Sequence, residues 1–305
     1  VLEARLSRRR LLAAALAGLV AVLLLASCGG EGEGARTGEG ASYTVQRDVD
    51  YGGPGLLLDA YLPTDGAANR RAILMFHGGA WRGGNRSSMA PFAIAAAERG
   101  MAAFTVGYRL DAPRALPGEL TDAQMAVNFV RTHAADFGVD PARIGALGSS
   151  AGGHLAALIG TTGQGPLTEG IRVKAVATWS GPMDLVALNT PDPTYPPDCG
   201  PPTCLSAQAW QALLVNVIGC SLIQCPGTYV ALSPIRRVTP DDSPMLLVNA
   251  IDELAVPVEQ AVDMRRALRG AGVQYEMFLI PGLLHGDAYA NLALDHTLSF
   301  FERRL

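Results

Sequence analysis

Ser150 stands in Gly148-Ser149-Ser150-Ala151-Gly152, a G-x-S-x-G run between the apolar stretch Ile144–Leu147 and the mostly apolar His154–Leu158. A serine at a sharp strand-to-helix turn is held exposed on strained backbone, with a helix N-terminus beneath it that favours negative charge. Such a serine can attack an acyl carbon once a histidine takes its proton and an acid orients that histidine. His285 in Pro281-Gly282-Leu283-Leu284-His285 is the base expected for this work, and Asp252 in Ala250-Ile251-Asp252-Glu253 the acid. Acyl transfer also needs two backbone N–H groups aimed at the developing oxyanion. Gly78 and Gly79 in His77-Gly78-Gly79-Ala80-Trp81 offer one without side chains in the way, and Ala151, directly after the nucleophile, offers the other. In a chain of this length and glycine content, about 0.2 G-x-S-x-G matches arise by chance. The partners of Ser150 therefore decide the reading.

Each of these segments follows an apolar run of strand length. Ala72–Phe76 precedes the His-Gly-Gly segment, Met245–Asn249 the two acids, and Tyr275–Ile280 the His285 loop. Met101–Val106 and Val173–Ser180 read as further buried strands, and Tyr43–Tyr51 with Leu56–Leu62 as an edge hairpin across Gly52-Gly53-Pro54-Gly55. Helical patterns lie between them, at Pro91–Arg99 before Gly100 and from Thr121 to about Ala135, with Ala126, Phe129 and Val130 on one face. Alternating strands and helices predict an α/β fold with a mostly parallel sheet. In this frame Asp122 is a first-turn acid facing the helix dipole, His133 a capping or surface residue, and His154 a packing group rather than a base.

Together, HGGAW, Tyr108-Arg109-Leu110, GSSAGGHLA, an acid shortly before Val256-Pro257, and Pro281-Gly282 followed by His285 resemble one family. They resemble the serine esterases of the α/β-hydrolase fold with an HGG oxyanion loop, the lipase, carboxylesterase and feruloyl-esterase-like branch. The resemblance runs from about Tyr43 to Leu305. It implies a mostly parallel central sheet with helices on both faces, the chain order Ser, Asp/Glu, His, a small-molecule ester as substrate, and no cofactor. In that family the acid stands four residues before the Pro of the Val-Pro pair, which here is Glu253, while Asp252 stands five before. Asp252 is still the expected acid, because Asp-Glu-Leu follows the family's local order with Ala255 as an inserted residue. A short side chain also suits a position just past the strand end. Adjacent residues of an extended loop point to opposite sides, so only one of the two faces His285. The expected reaction is hydrolysis of a carboxylic ester through an acyl-enzyme. A serine peptidase or amidase on the same fold and a catalytically silent binding scaffold are the alternatives.

The rest of the chain sets the context. With 305 residues, 49% of them hydrophobic, there is material for one large core, and a net charge of −4 without a basic stripe argues against nucleic acid as a partner. No segment has the glycine pattern of a phosphate cradle or metal-ligand spacing. No obligate protein partner is implied. Residues 1–28 read as a signal segment: Arg5 and Arg8-Arg9-Arg10, an apolar Leu11–Leu25, then Leu25-Ala26-Ser27-Cys28, which resembles a bacterial lipobox with Cys28 as the lipidated residue. The apolar run is short of the roughly 20 residues needed to span a bilayer. Export and lipid anchoring outside the cytoplasm are expected. Residues 29–41, Gly/Glu-rich, read as a tether, and residues 42–305 as the catalytic domain. Within it, residues 189–234 read as a lid insertion, Pro-rich at its start, with a helix at Ala207–Val217 and four cysteines. In an oxidising compartment Cys199, Cys204, Cys220 and Cys225 read as disulfides rather than a zinc site, the two short spacings favouring local bridges. Cys28→Ser is expected to shift the protein out of the membrane fraction or block its maturation, which fractionation and mass analysis of the N-terminus would check.

Overall fold

A computed structural model of the chain describes residues 42–110, 115–189 and 206–305. The signal segment, the tether, Cys28, Cys199 and Cys204 lie outside the described residues.

Among the described residues, eight strands form one sheet: β1 Tyr43–Asp50, β2 Leu57–Pro63, β3 Arg70–Phe76, β4 Ala102–Val106, β5 Val139–Ser149, β6 Ala175–Trp179, β7 Met245–Ala250 and β8 Tyr275–Ile280. Their order is β1-β2-β4-β3-β5-β6-β7-β8. The β1–β2 hairpin and the β2–β4 pair are antiparallel, and every other pair is parallel. The central strands carry near-continuous apolar runs such as Ala72–Phe76 and Met245–Val248 because helices cover both of their faces.

The helices are α1 Ala90–Glu98, α2 Ala115–Thr132, α3 Ala151–Gly160, α4 Leu185–Leu188, α5 Ala207–Ile218, α6 Pro226–Ala231, α7 Val258–Ala271 and α8 Ala290–Arg304. Helices α1 and α8 pack on one face through Phe92, Ala96, Leu298 and Phe300. On the other face α2, α3, α5 and α7 pack through Val127, Leu155, Leu214 and Met264. The chain therefore leaves β3 toward one face and its neighbour β5 toward the other. Such a reversal opens a crevice at the carboxyl ends of the strands, where α/β sheets hold ligands. The register pairs Phe76 with Gly148 there, so the His-Gly-Gly segment and the Ser150 turn emerge side by side.

Two local expectations are corrected. Helix α2 starts at Ala115, not at Thr121, because Leu116 is buried and Pro117 is tolerated in a first turn. Thr121 is inside the helix and its hydroxyl donates back to the Pro117 carbonyl at 3.2 Å. Asp122 is consequently not a first-turn acid. It is fully buried and accepts from Arg109 three times: from the backbone N–H at 3.0 Å, Nε at 2.8 Å and Nη2 at 2.7 Å. The insertion between β6 and β7 carries α4, α5 and α6, and Cys220 is disulfide-bonded to Cys225. Trp210 of α5 donates from its indole to the Ala255 carbonyl at 3.2 Å, tying the insertion to the loop that holds the two acids.

Gly152 sets how closely α3 approaches the sheet. A Cβ there would stand 2.0 Å from the Phe76 carbonyl oxygen and 2.5 Å from that of His77. Gly152→Ala is expected to cost about 3 kcal/mol or more, at or beyond the usual range for overpacking. In α6, where a Cβ at Gly227 meets nothing within 4 Å, Gly227→Ala should be neutral or mildly stabilising. Urea midpoints of the two variants would separate the cases.

Candidate active site

Strand β5 ends at Ser149, and Ser150 turns the chain into α3 with φ 53° and ψ −118°. This conformation costs a non-glycine residue on the order of 1–3 kcal/mol and persists only where the surroundings enforce it. Here the Ser150 N–H donates to the Trp179 carbonyl of β6 at 2.7 Å, and a Cβ at Gly148 would stand 2.0 Å from the Gly152 carbonyl oxygen. The turn is thereby pinned between two strands and the helix. The Ala151 N–H, first in α3, is one of the helix-terminal donors that have no intrahelical acceptor.

Gly78 lies against Ser150: a Cβ on it would be 3.3 Å from the Ser150 Cβ. Gly79 has φ +129°, and its carbonyl accepts from the N–H groups of Arg82 and Gly83, both at 3.0 Å, which closes the loop. The loop is held from behind by Tyr108, whose hydroxyl donates to the His77 carbonyl at 2.6 Å and whose ring stacks on the His77 imidazole at 4.3 Å. Burial pushes His77 below its ordinary pKa, so the ring is neutral, and its Nδ1–H donates to the Gly78 carbonyl at 2.7 Å.

His285 Nε2 accepts from the Ser150 hydroxyl at 2.8 Å, and Nδ1–H donates to a carboxylate at 2.6 Å. That carboxylate is Glu253, not Asp252. The structure thus corrects the expected acid. Ile251 and Asp252 form an exposed turn at the end of β7, tied across by the Asp252 N–H to the Gly282 carbonyl at 3.0 Å. The next residue is the first to point inward, and the extra methylene of Glu carries its carboxylate to His285. The Glu253 side chain is fully buried while His285 is 31% exposed. Besides His285, Glu253 accepts from the Val256 N–H at 3.0 Å, the Asn249 amide at 3.2 Å and the Ser180 hydroxyl.

Several supporting residues belong to no sequence motif. The Ser180 Oγ also accepts from the Gly286 N–H at 3.1 Å and lies 2.8 Å from the Tyr289 hydroxyl. The Tyr289 hydroxyl donates to the Val248 carbonyl at 3.1 Å. Ser149 Oγ accepts from the Asp287 N–H at 3.0 Å, joining the Ser150 turn to the His285 loop. A small polar residue at the end of a buried strand, as at Ser149 and Ser180, is the signal that points to such roles. His154 is buried on α3 with Nε2–H donating to the Leu232 carbonyl at 2.7 Å, and burial lowers its pKa to about 4. Its backbone N–H donates to the Ser150 carbonyl at 3.0 Å, an ordinary helical bond of the first turn, and the imidazole itself is committed to Leu232 rather than to Ser150 or His285. Trp210 and Leu214 are buried, with Trp210 packed edge-on to Trp81 at 6.4 Å. Among the described residues no cluster of His, Cys, Asp or Glu could hold a metal ion.

Residues 58–268 match the family model described as BD-FAE. Esterase LipC of Mycobacterium tuberculosis is 30% identical over 80% of this chain and 60% of its own length. The chain spans about half to three fifths of the curated relatives it matches. Among solved structures, a truncated carbohydrate esterase from gut microbiota is 25% identical with a TM-score of 0.68, covering 87% of this chain and 98% of that one. The butyrate-bound esterase Est2 of Thermogutta terrifontis is 27% identical with a TM-score of 0.64, covering 86% and 92%.

The geometry separates the two neighbouring acids. Glu253→Gln is expected to lower kcat by about 10⁴-fold, the loss seen when a triad acid can no longer hold its histidine in the right tautomer. Asp252→Asn should stay within about twofold, since a solvent-facing surface change has little to disturb. Steady-state kinetics of the purified variants checks both.

Proposed function

Because the chain belongs to the BD-FAE family and joins Ser150, His285 and Glu253 in one hydrogen-bonded series, we propose that it is a serine hydrolase of carboxylic esters. The single observation that carries this reading is the 2.8 Å contact of Ser150 Oγ with His285 Nε2, beside a glycine loop packed close against Ser150. His285 takes the Ser150 proton as Oγ attacks the ester carbonyl carbon. The carbonyl electron pair moves to oxygen, and the oxyanion settles toward the Ala151 N–H and the Gly78-Gly79 segment. One such donor is worth about 2.7–4 kcal/mol in the transition state. As the tetrahedral intermediate collapses, His285 returns the proton to the departing alcohol oxygen. Water then attacks the acyl-enzyme by the same route, and Ser150 is released. Glu253 holds the imidazole with Nδ1–H inward and stabilises the imidazolium, without itself taking the proton. No step requires a cofactor.

The substrate in this reading is a small-molecule ester, in keeping with the esterases among its relatives. We further place the enzyme outside the cytoplasm on a lipidated Cys28. The Leu25-Ala26-Ser27-Cys28 tetrad and the Cys220–Cys225 bridge support this placement, since disulfides persist in oxidising compartments.

A panel of p-nitrophenyl acetate, butyrate and longer acyl esters, set against peptide p-nitroanilides, tests the reaction class. The wild type should hydrolyse the esters and leave the anilides. Ser150→Ala should keep its circular dichroism and lose about 10⁴-fold or more in kcat. Preference for the anilides, or ester hydrolysis surviving in Ser150→Ala, contradicts the assignment.

A further inference from the structure

Glu119, on α2, is fully buried, and among the described residues neither of its carboxyl oxygens has a hydrogen-bond partner. Nothing in the proposed reaction uses it. It shares a helix face with Asp122, one turn on. The triple bond of Asp122 to Arg109 fixes the segment after β4 against that face. Tyr108 immediately precedes Arg109, and its hydroxyl is the group that holds the His77 carbonyl of the oxyanion loop. Glu119 is close enough to Tyr108 that its charge, after burial, helps push the phenol well above its ordinary range. The cluster thus runs from a carboxyl group without a partner, through one tyrosine, to the loop beside Ser150.

Resting on the ester-hydrolase reading, we propose that Glu119 is a positioning residue: as a neutral acid it leaves the Tyr108 hydroxyl on the His77 carbonyl, and as a carboxylate it draws that hydroxyl away and slackens the oxyanion loop. An isolated carboxylate in an apolar interior is expensive, so the group stays protonated until solvent pH is high enough to remove the proton. Burial first, then the neighbouring Asp122 carboxylate, raise its pKa from 4.5 to about 9, while Arg109 opposes them. Of the other elements packed against α2, β3 carries Arg70 and Arg71 at the end remote from His77, to which it leads, and α3 carries His154; both imidazoles are held neutral by burial. Helix α5 brings no ionisable side chain, and the charged residues of β5, Asp140 and Arg143, lie at the strand's opposite end. Once formed, the carboxylate is a stronger acceptor than a backbone carbonyl and competes for the Tyr108 proton. The sign for stability follows. Between pH 4.5 and about 9 the folded chain keeps a proton that the unfolded chain has lost. Stability from this group is therefore complete below 4.5, falls across that window, and levels off above it.

The test is kcat for p-nitrophenyl acetate against pH. In the wild type kcat should fall through a limb centred at about pH 9 with KM steady. Glu119→Gln, of the same shape but unable to ionise, should keep neutral-pH kcat within about twofold and lack that limb. Tyr108→Phe has no hydroxyl to divert, so its kcat should be about tenfold lower at every pH, again without the limb. Should Glu119→Gln fail to fold, the wild type and Tyr108→Phe keep the proposal exposed. The infrared carbonyl band of a protonated carboxylic acid must then disappear in step with the fall of wild-type kcat. A limb that survives in either variant, a wild type without one, or a carboxylic band that does not titrate with kcat overturns the role of Glu119. A wild type inactive on every ester at every pH instead overturns the ester-hydrolase reading.

Discussion

The hydrogen bond from His285 to Glu253 is the interaction on which the site depends, because it puts a carboxylate where water does not reach. A buried carboxylate is tolerated only when its lone pairs are met, and an unpaired one costs several kcal/mol. Glu253 meets this demand with four donors drawn from four places: the Val256 N–H of its own loop, Asn249 at the end of β7, Ser180 after β6 and His285 after β8. One carboxylate thereby fixes the carboxyl ends of three adjacent strands relative to each other. The position of His285 over Ser150 is a consequence, since the imidazole has one nitrogen committed inward and only the other left for the Ser150 hydroxyl.

Strain collects at the same edge of the sheet. Ser150, Ser180, Ala80 and Trp81 are non-glycine residues with φ between 48° and 57°, and all four lie just beyond strand ends around the site. Each is held by something stronger than its own preference. Ser150 and Ser180 donate their N–H groups across to neighbouring strands at 2.7 and 2.8 Å. Ala80 and Trp81 are held within the loop closed on the Gly79 carbonyl, with Trp81 packed edge-on to the buried His154 ring. Away from the site only Asp48, at the bulge of β1, and Asn69, just before β3, share this conformation among the described non-glycine residues.

What is legible in the sequence divides along physical lines. The Ser150 turn, the His-Gly-Gly loop and the His285 loop are specified by short local patterns, small residues after apolar runs, and their strands lie close to where the patterns put them. The choice between Asp252 and Glu253 is not local. It depends on the turn at Ile251 and Asp252, which rotates the chain so that the second acid and not the first faces inward. The start of α2 is hidden because Pro117 and Gly118 look like a loop, and the burial of Leu116 outweighs them. With that start goes the role of Asp122, whose partner Arg109 is 13 residues away. Ser180 and Tyr289 acquire their contacts, and Glu119 its burial, only from packing between distant segments, which periodicity does not encode.

The most direct test of the central claim is the proton NMR spectrum of the imidazole N–H held between His285 and Glu253. A short bond from imidazole to a buried carboxylate moves that proton far downfield and protects it from exchange. The resonance should be present in the wild type and in Asp252→Asn, and absent in Glu253→Gln. Its survival in Glu253→Gln together with its loss in Asp252→Asn would return the acid's role to Asp252 and contradict the dependence of the site on Glu253.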